Sequence, residues 1–404
     1  MPGALEGTLI IEWTQFVHGS ASMLGDMGAE VIHIEDRVKG DASRGTSAMW
    51  GDSIELPGGR NMLFEGANRS KKSLTLDLKT EKGKEVLFRL VKKADIFLHN
   101  YRPSVAKRVG LDYASLAHEN QRLIYVLASG YGSKGPWSEK RAFDPICQAL
   151  SGIMWAMGDR DFQEPVQISG AIFDVLGSIM TCYGIMAALL HREKTGMGQE
   201  LEVSQLGSAL DLMSVQLNGM LWLGHSVARH SRSRARNPMA NHYRCADNKW
   251  LMLAEPQSDR FWPDFCGALD ISDIEKDPRF ANSRARRENY KEMNAFLDRK
   301  FLEKTRDEWI SLFDQKQLGF AYAPVLTSQE VVNHPQVLAN EYVIEHDHPT
   351  MDRARSFNSA INFSKTPLNF YPAPEFGQHT EEILSEICGY SWDEIGQMRV
   401  EEVI

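Results

Sequence analysis

TLIIEWTQFVHGSASMLGDMGAEVIHIE, residues 8–35, is the stretch whose reading decides the fold. Thr8–Trp13 is a short apolar, β-branched run of strand character, and Gly28–Glu35 is a second. A helical segment around Ser20 to Met27 lies between them, so the order is strand, helix, strand. Two strands joined this way run parallel, because a parallel pair needs a crossover of about a dozen residues or more. Glu35 places an acidic residue at the end of the second strand, as in dinucleotide-binding folds. The first turn, however, reads Thr14-Gln15-Phe16-Val17-His18-Gly19-Ser20 and holds no GxGxxG fingerprint. The expectation is an α/β fold with Rossmann-like topology that binds no nicotinamide cofactor.

Outward from this unit, further strands are expected at Ser73–Leu78, Asp95–His99 and Leu123–Ala128. Thr80 to Lys93 carries Val86, Leu87, Leu90 and Val91 on one helical face. The run Gly130-Tyr131-Gly132-Ser133-Lys134-Gly135-Pro136 is a loop by its turn residues. A loop after a strand is where an open α/β sheet places its ligand. A helix is expected from Gly177 to Glu193; its Gly177, Ser178, Gly184, Ala187 and Ala188 suit close packing on another backbone. A strand at Glu200–Val203 and a long helical stretch to about Leu223 follow. Composition then shifts at a basic segment, Arg229 to Arg236 (RHSRSRAR). The organisation expected is a large domain over 1–223, a linker over 224–240 and a small α/β domain over 241–325 with a strand at Trp250–Ala254. Residues 326–404 form a second, loop-rich linker and a return to the large domain, with a short amphipathic helix from Thr380 to Ile387.

Composition narrows the function classes. Of 404 residues, 43% are apolar and 25% charged, the balance of a globular protein. The most apolar stretch, Ile172 to Leu190, is interrupted by Asp174, so no membrane helix is expected. The N-terminus lacks a charged n-region and a cleavage site, which makes the cytoplasm the expected location. A net charge of −9 argues against nucleic acid as a partner. The basic segment 229–236 is the local exception, either a phosphate-facing patch or a solvated linker. Five cysteines without a CxxC pair form no disulfide framework, and the histidines show no HExxH, so no metal is expected.

Asp174 stands in Gly170-Ala171-Ile172-Phe173-Asp174-Val175-Leu176-Gly177, just before the small-residue helix. A carboxylate in that apolar setting loses solvation unless it is paired or hydrogen-bonded. A helix N-cap is the structural alternative. Arg37, Arg69, Lys71, Lys72, Arg102, Lys107 and Arg108 fall near strand ends or turns of the first domain, where diphosphate groups favour cationic forks. Phe143 and Asp144 follow the glycine loop; simple packing and turn initiation before Pro145 are their plain readings. No Walker loop is present, so ATP chemistry has no support.

A series of segments, taken in order, resembles the family III coenzyme A transferases, the group containing formyl-CoA, carnitine-CoA and bile-acid-CoA transferases. They are Gly28–Ile32 with Glu35, Gly40–Gly45, Asn68–Ser73 with Leu76–Lys79, Ala94–Ile96 with Asn100–Pro103, and Ser129–Gly132 with Gly135-Pro136. Gly184–Gln199 (GIMAALLHREKTGMGQ), Tyr243–Asp247 and Ala323–Val325 continue the series nearly to the end. The resemblance implies a nucleophilic aspartate at Asp174 and a backbone segment near the thioester at Phe16, Val17 and His18. It implies CoA contacts at Arg37 (the adenine nucleotide end), Asn100, Tyr101 and Arg108, to which the cationic cluster adds Lys72 and the glycine loop Gly130. Arg141 falls on a position that is often basic, and Asp144 on one that is often acidic, near the reacting carboxylate. Two domains joined by long linkers and an interlocked dimer are implied as well. Two departures stand out: the glycine-rich loop of formyl-CoA transferases is not evident between Leu223 and Tyr243, and Phe143 stands where a neighbouring family has a histidine; the loop after the first strand is also shorter than in some relatives.

The chemistry so implied is transfer of CoA between carboxylic acids through an aspartyl anhydride. Acyl-CoA is then a substrate, no tightly bound cofactor is needed, and the partners are an acyl-CoA donor and a carboxylic acid acceptor. The chain is expected as a homodimer, or as a hetero-oligomer with a homologous chain. The related α-methylacyl-CoA racemases use a histidine that would fall at Phe143, and a phenyl ring exchanges no proton. A non-catalytic acyl-CoA-binding subunit is the other rival, and retention of Asp174 argues against it.

Overall fold

The computed structural model describes residues 2–16 and 19–404. Six strands form one sheet: β1 (Leu9–Trp13), β2 (Glu30–Glu35), β3 (Lys72–Thr75), β4 (Ile96–His99), β5 (Ile124–Ser129) and β6 (Gln199–Ser204). Their order is β6-β5-β4-β1-β2-β3, with every pairing parallel. The chain builds outward from β1 in one direction through β3, then in the other from β4, which leaves a crevice at the carboxyl ends of β1 and β4. β3 is shorter than the strand expected over Ser73–Leu78, because the chain turns away and the Asp77 N–H donates to the Val403 carbonyl (2.8 Å).

Apolar side chains predominate on both faces of the sheet, and strand alternation sorts them into two cores. Ile11, Trp13, Ile32, Ile34, Leu74 and Phe97 share one core with Val86, Leu87, Leu90 and Val91 of α2 (Glu81–Val91). Ile10, Val31, Ile96, Leu98, Ile124 and Val126 face the other, against Ala21 and Leu24 of the preceding helix α1 (Ser20–Asp26). Beyond α2 come α3 (Pro103–Val109), α4 (Asp144–Ser151), α5 (Ile172–Thr195), α6 (Gln205–Leu212) and α7 (Ser214–Leu223). The single helical stretch expected up to Leu223 is thus two helices, α6 and α7. Ile185 and Ala188 of α5 enter the second core. The 24-residue α5 is long and apolar enough to cross a bilayer by length and composition, which the sequence reading missed by counting Asp174 as an interruption. Its Phe173, Gly177, Ser178, Thr181, Ile185 and Ala188 are buried within the protein, while Val175, Ile179, Tyr183, Met186 and Leu190 are exposed.

The chain divides into two compact units. The sheet belongs to the first, which comprises Met1–Met154, Gln167–Ser226 and Ile344–Ile404. Its last segment ends in α11 (Trp392–Val400); Ile395, Met398 and Val403 complete the core around Leu74 and α2. That helix was not foreseen, although Ser391 and Glu394 form the capping box that marks its start. The second unit comprises Trp155–Val166 and Val227–Val343. It contains a three-stranded antiparallel sheet, β7 (Ala240–Arg244), β8 (Trp250–Ala254) and β9 (Tyr322–Val325), in that order. Helices α8 (Ser258–Leu269), α9 (Tyr290–Phe301) and α10 (Arg306–Gln315) close its own core around Tyr243, Trp262, Phe265, Phe301, Trp309 and Phe313.

Candidate active site

The crevice between the ends of β1 and β4 is bridged by its own backbone and side chains. Asn100 directly follows β4, and its amide pairs reciprocally with the backbone of Gln15, accepting from the N–H (3.0 Å) and donating to the carbonyl (2.8 Å). Tyr101 stacks on Trp13 at 3.9 Å between ring centres. Phe16 is exposed and holds a left-handed φ of 62°, with its N–H 3.4 Å from Asp41 Oδ1. Val17 and His18 lie outside the described residues. The far end of this loop is anchored on α5: the Gly19 N–H donates to Ser178 Oγ (3.0 Å), whose hydroxyl donates to the carbonyl of Asp174 (2.8 Å).

Helix α5 starts at Ile172, five residues earlier than the expected Gly177, so Asp174 lies in its first turn rather than ahead of it. Asp174 is therefore not the N-cap. Ala171 occupies that position with φ 55° and ψ 42°, and no side chain of its own caps the helix. Asp144 supplies the cap from outside: its Oδ2 accepts the N–H groups of Phe173 (2.5 Å) and Asp174 (3.2 Å). A carboxylate suits the free donors and the positive end of a helix. Asp144 itself opens α4, is buried, and accepts at Oδ1 from Gln148 Nε2 (2.5 Å). It therefore does more than start a turn before Pro145. Gln148 is fully buried and also holds the backbone of Ile168, donating to its carbonyl (2.7 Å) and accepting its N–H (2.9 Å).

The Asp174 carboxyl is half-buried, and its Oδ1 accepts a short hydrogen bond from Gln205 Nε2. Burial pushes its pKa up to about 7; the negative charge of Asp144 adds to the rise, and the Gln205 hydrogen bond opposes it. Gln205 is the first residue of α6, and its Oε1 accepts the thiol of Cys147 at 3.1 Å. Burial, then the charges of Asp144 and Asp174, push the Cys147 pKa up to about 12, so the thiol stays protonated and remains a donor. A donated S–H on one side fixes the amide with its NH2 towards Asp174. The result is a carboxyl group with one oxygen held and an acidity poised near neutrality, a group suited to nucleophilic attack on a carbonyl.

The glycine loop is held beside α4. Gly130 accepts the Leu206 N–H through its carbonyl (2.9 Å), and a Cβ added at Gly130 would lie 2.1 Å from that of Ala142. The Tyr131 hydroxyl donates to the carbonyl of Arg141 (2.9 Å), whose side chain is exposed. Phe143 is the N-cap of α4 and is exposed. The remaining expected residues are spread more widely. Arg37, after β2, pairs with Glu402 (2.7 Å), and Arg108 is exposed on the last turn of α3. Lys72 opens β3 at the amino edge of the sheet and pairs with Glu30 (2.8 Å) and Glu382 (2.7 Å), so the fold does not bring it to the carboxyl edge. Arg69 and Lys71 are likewise taken up internally, by Asp26 (2.7 Å) and Glu12 (2.5 Å). Sequence reasoning missed Gln205, Gln148 and the placement of Cys147. Gln205 carries no signal beyond following the helix-capping Ser204, and its bond to Asp174 joins two helices far apart in sequence.

The family model of CoA-transferase family III matches residues 5–380. An "Acyl-CoA transferase" of Fusarium pseudograminearum is 31% identical over 399 residues, covering 95% of this chain and 85% of the relative. The "(R)-2-hydroxy-4-methylpentanoate CoA-transferase" of Clostridioides difficile is 28% identical over 406 residues, 99% of each chain. Among solved structures, a CAIB/BAIF family protein from Brucella suis superposes with a TM-score of 0.84 at 28% identity, covering 96% of this chain and all of that one. With a match that spans the parallel sheet, the second unit and the return segment, the chain belongs to CoA-transferase family III and is an acyl-CoA CoA-transferase.

Proposed function

We propose that the chain moves CoA from an acyl-CoA donor to a carboxylic acid through covalent intermediates on Asp174. The carboxylate attacks the thioester carbonyl, the C–S bond breaks, and an acyl-aspartyl anhydride and CoA thiolate form. The thiolate attacks the aspartyl carbonyl and releases the donor acid, leaving an aspartyl-CoA thioester. The acceptor carboxylate then displaces the thiolate to give a second anhydride. Attack of the thiolate on the acceptor's acyl carbon yields the new acyl-CoA and frees Asp174. No ATP is consumed, because each intermediate retains the activation of the thioester. The observation that carries this reading is the half-buried Asp174 carboxyl, held at one oxygen by Gln205 and poised near neutral pH.

Backbone amides of the Phe16-Val17-His18 and Gly130-Tyr131-Gly132 loops are proposed to stabilise the oxyanions. Asn100 and Tyr101 would contact CoA at the crevice, with Arg37 and Arg108 as its phosphate partners and Arg141 and Asp144 flanking the reacting carboxylate. The exposed apolar stripe of α5 supports assembly as a dimer, which the family resemblance makes an interlocked one. The test is mass spectrometry of the intact chain after mixing with acyl-CoAs, quenching and trapping with hydroxylamine or borohydride. A modification localised to Asp174, absent in Asp174→Ala, is expected. Undiminished turnover by Asp174→Ala would remove this residue from the role.

A further inference from the structure

The basic segment near the start of the second unit's longer stretch is given no part in CoA transfer, yet it lines a cavity of about 620 Å³. Arg160, Arg229, His230, Arg234, Arg236 and Tyr290 are among the residues lining it. Arg234 is balanced by Asp161 (2.8 Å). Among the described residues, no carboxylate pairs with Arg160, Arg229 or Arg236. Arg229 is locked in place, with Nη2 donating to the carbonyls of Arg160 and Phe162 (3.2 Å each). Its Nη1 is buried and has no hydrogen-bond partner.

Two costs accumulate here. A buried guanidinium N–H without an acceptor forfeits its hydration, and buried polar atoms of that kind are rare. Three unbalanced cations around one concavity also repel one another. An oxyanion in the cavity relieves the repulsion, because guanidinium presents its donors as a fork that matches carboxylate or phosphate. The cavity is within the usual size range for small-molecule sites. Surplus charge beyond one cation favours a ligand with more than one anionic group. We propose that this cavity binds a small polyanion, a dicarboxylate or a phosphate compound, gripped by Arg229 and Arg236. This goes beyond CoA transfer and does not depend on Asp174.

Calorimetric titration of the full chain with succinate and with pyrophosphate, using acetate as the single-charge control, tests it. Saturable binding of at least one dianionic probe is expected, weakened tenfold or more by Arg236→Gln and by added salt, and retained in Asp174→Ala. Tighter binding of succinate identifies a carboxylate ligand, and tighter binding of pyrophosphate a phosphate one. Arg229→Gln should also weaken binding; should it unfold through loss of its carbonyl bonds, Arg236→Gln, whose side chain is exposed, still decides. Equal affinity in wild type and Arg236→Gln, or no saturable binding at all, overturns the proposal. So does a sedimentation shift in Arg236→Glu without anion binding, which would make the patch a contact between copies.

Discussion

Opposed influences set the acidity of Asp174: burial and the charge of Asp144 favour the neutral acid, and the amide of Gln205 favours the anion. In the proposed mechanism the anion is the nucleophile, so kcat/KM should rise with pH through about 7 and level off above it. Two substitutions should move that limb in opposite directions. Gln205→Leu removes the donor and should raise the apparent pKa, lowering kcat/KM on the acid side by roughly tenfold, since a hydrogen bond to a charged group contributes about 1.5–3 kcal/mol. Asp144→Asn removes the repelling charge while its amide oxygen can still cap α5, so the limb should shift to lower pH. The pH profiles of both variants with one donor and acceptor pair are the measurement. Equal shifts in the same direction would mean general loosening of the site rather than electrostatics. A carboxylate amid apolar residues made Asp174 conspicuous in the sequence, but that pattern alone suited a helix cap equally, and its role as nucleophile came from the family resemblance. Gln205 was not legible, because an amide at a helix start is ordinary until a partner from another helix meets it.

Among the elements, the start of α5 is the most informative. Its cap position is filled by Ala171 at φ 55°, a conformation that suits glycine and strains an alanine. Ala171→Gly should therefore raise stability by about 1 kcal/mol in denaturant titration, offset in part by the greater freedom of glycine in the unfolded chain. A loss of stability instead would mean that the alanine methyl makes a contact worth more than the strain. This start also shows where element reading failed. Small residues drew attention to Gly177, whereas Asp144, thirty residues upstream of Asp174, provides the acceptor that allows the helix to begin at Ile172. The strands were easier: β1, β2, β4 and β5 lie where β-branched runs placed them, because a sheet covered on both faces leaves few polar interruptions.

For the whole molecule, a charged cluster inside the sheet links stability to pH. His33 is buried between Glu12 (2.9 Å) and Asp41 (3.4 Å), and Lys71 also reaches Glu12 (2.5 Å). Burial works against the charge of both His33 and Glu12, but their hydrogen bonds and mutual attraction overcome it. The His33 pKa is raised to about 9 and that of Glu12 lowered to about 2. A raised histidine contributes stability that is complete below its unfolded pKa, near 6.5, and is lost as pH climbs through about 9. Glu12, being lowered, contributes above about 4.5 and loses its share as pH falls towards 2. The stability deficit of His33→Gln should accordingly be greatest near pH 6, on the order of 3 kcal/mol, and shrink by pH 9 and above. A deficit independent of pH would assign His33 a packing role alone. A change in composition at the basic segment was legible in the sequence. The way residues 155–166 join the second unit was not, since nothing local marks a segment whose partners lie seventy residues away, as Asp159 and Arg232 do.

The docking of Met398 and Val403 beside Leu74 and α2 carries a consequence for biosynthesis. Strands β1 to β6 are all translated by residue 204, yet the core beneath them stays open until residue 403 has left the ribosome. The smaller unit, finished by residue 343, can close well before that. Maturation of the nascent chain is then inverted relative to its translation: the unit begun first is completed last, and a chain cut short before Ile395 would leave that core unsealed.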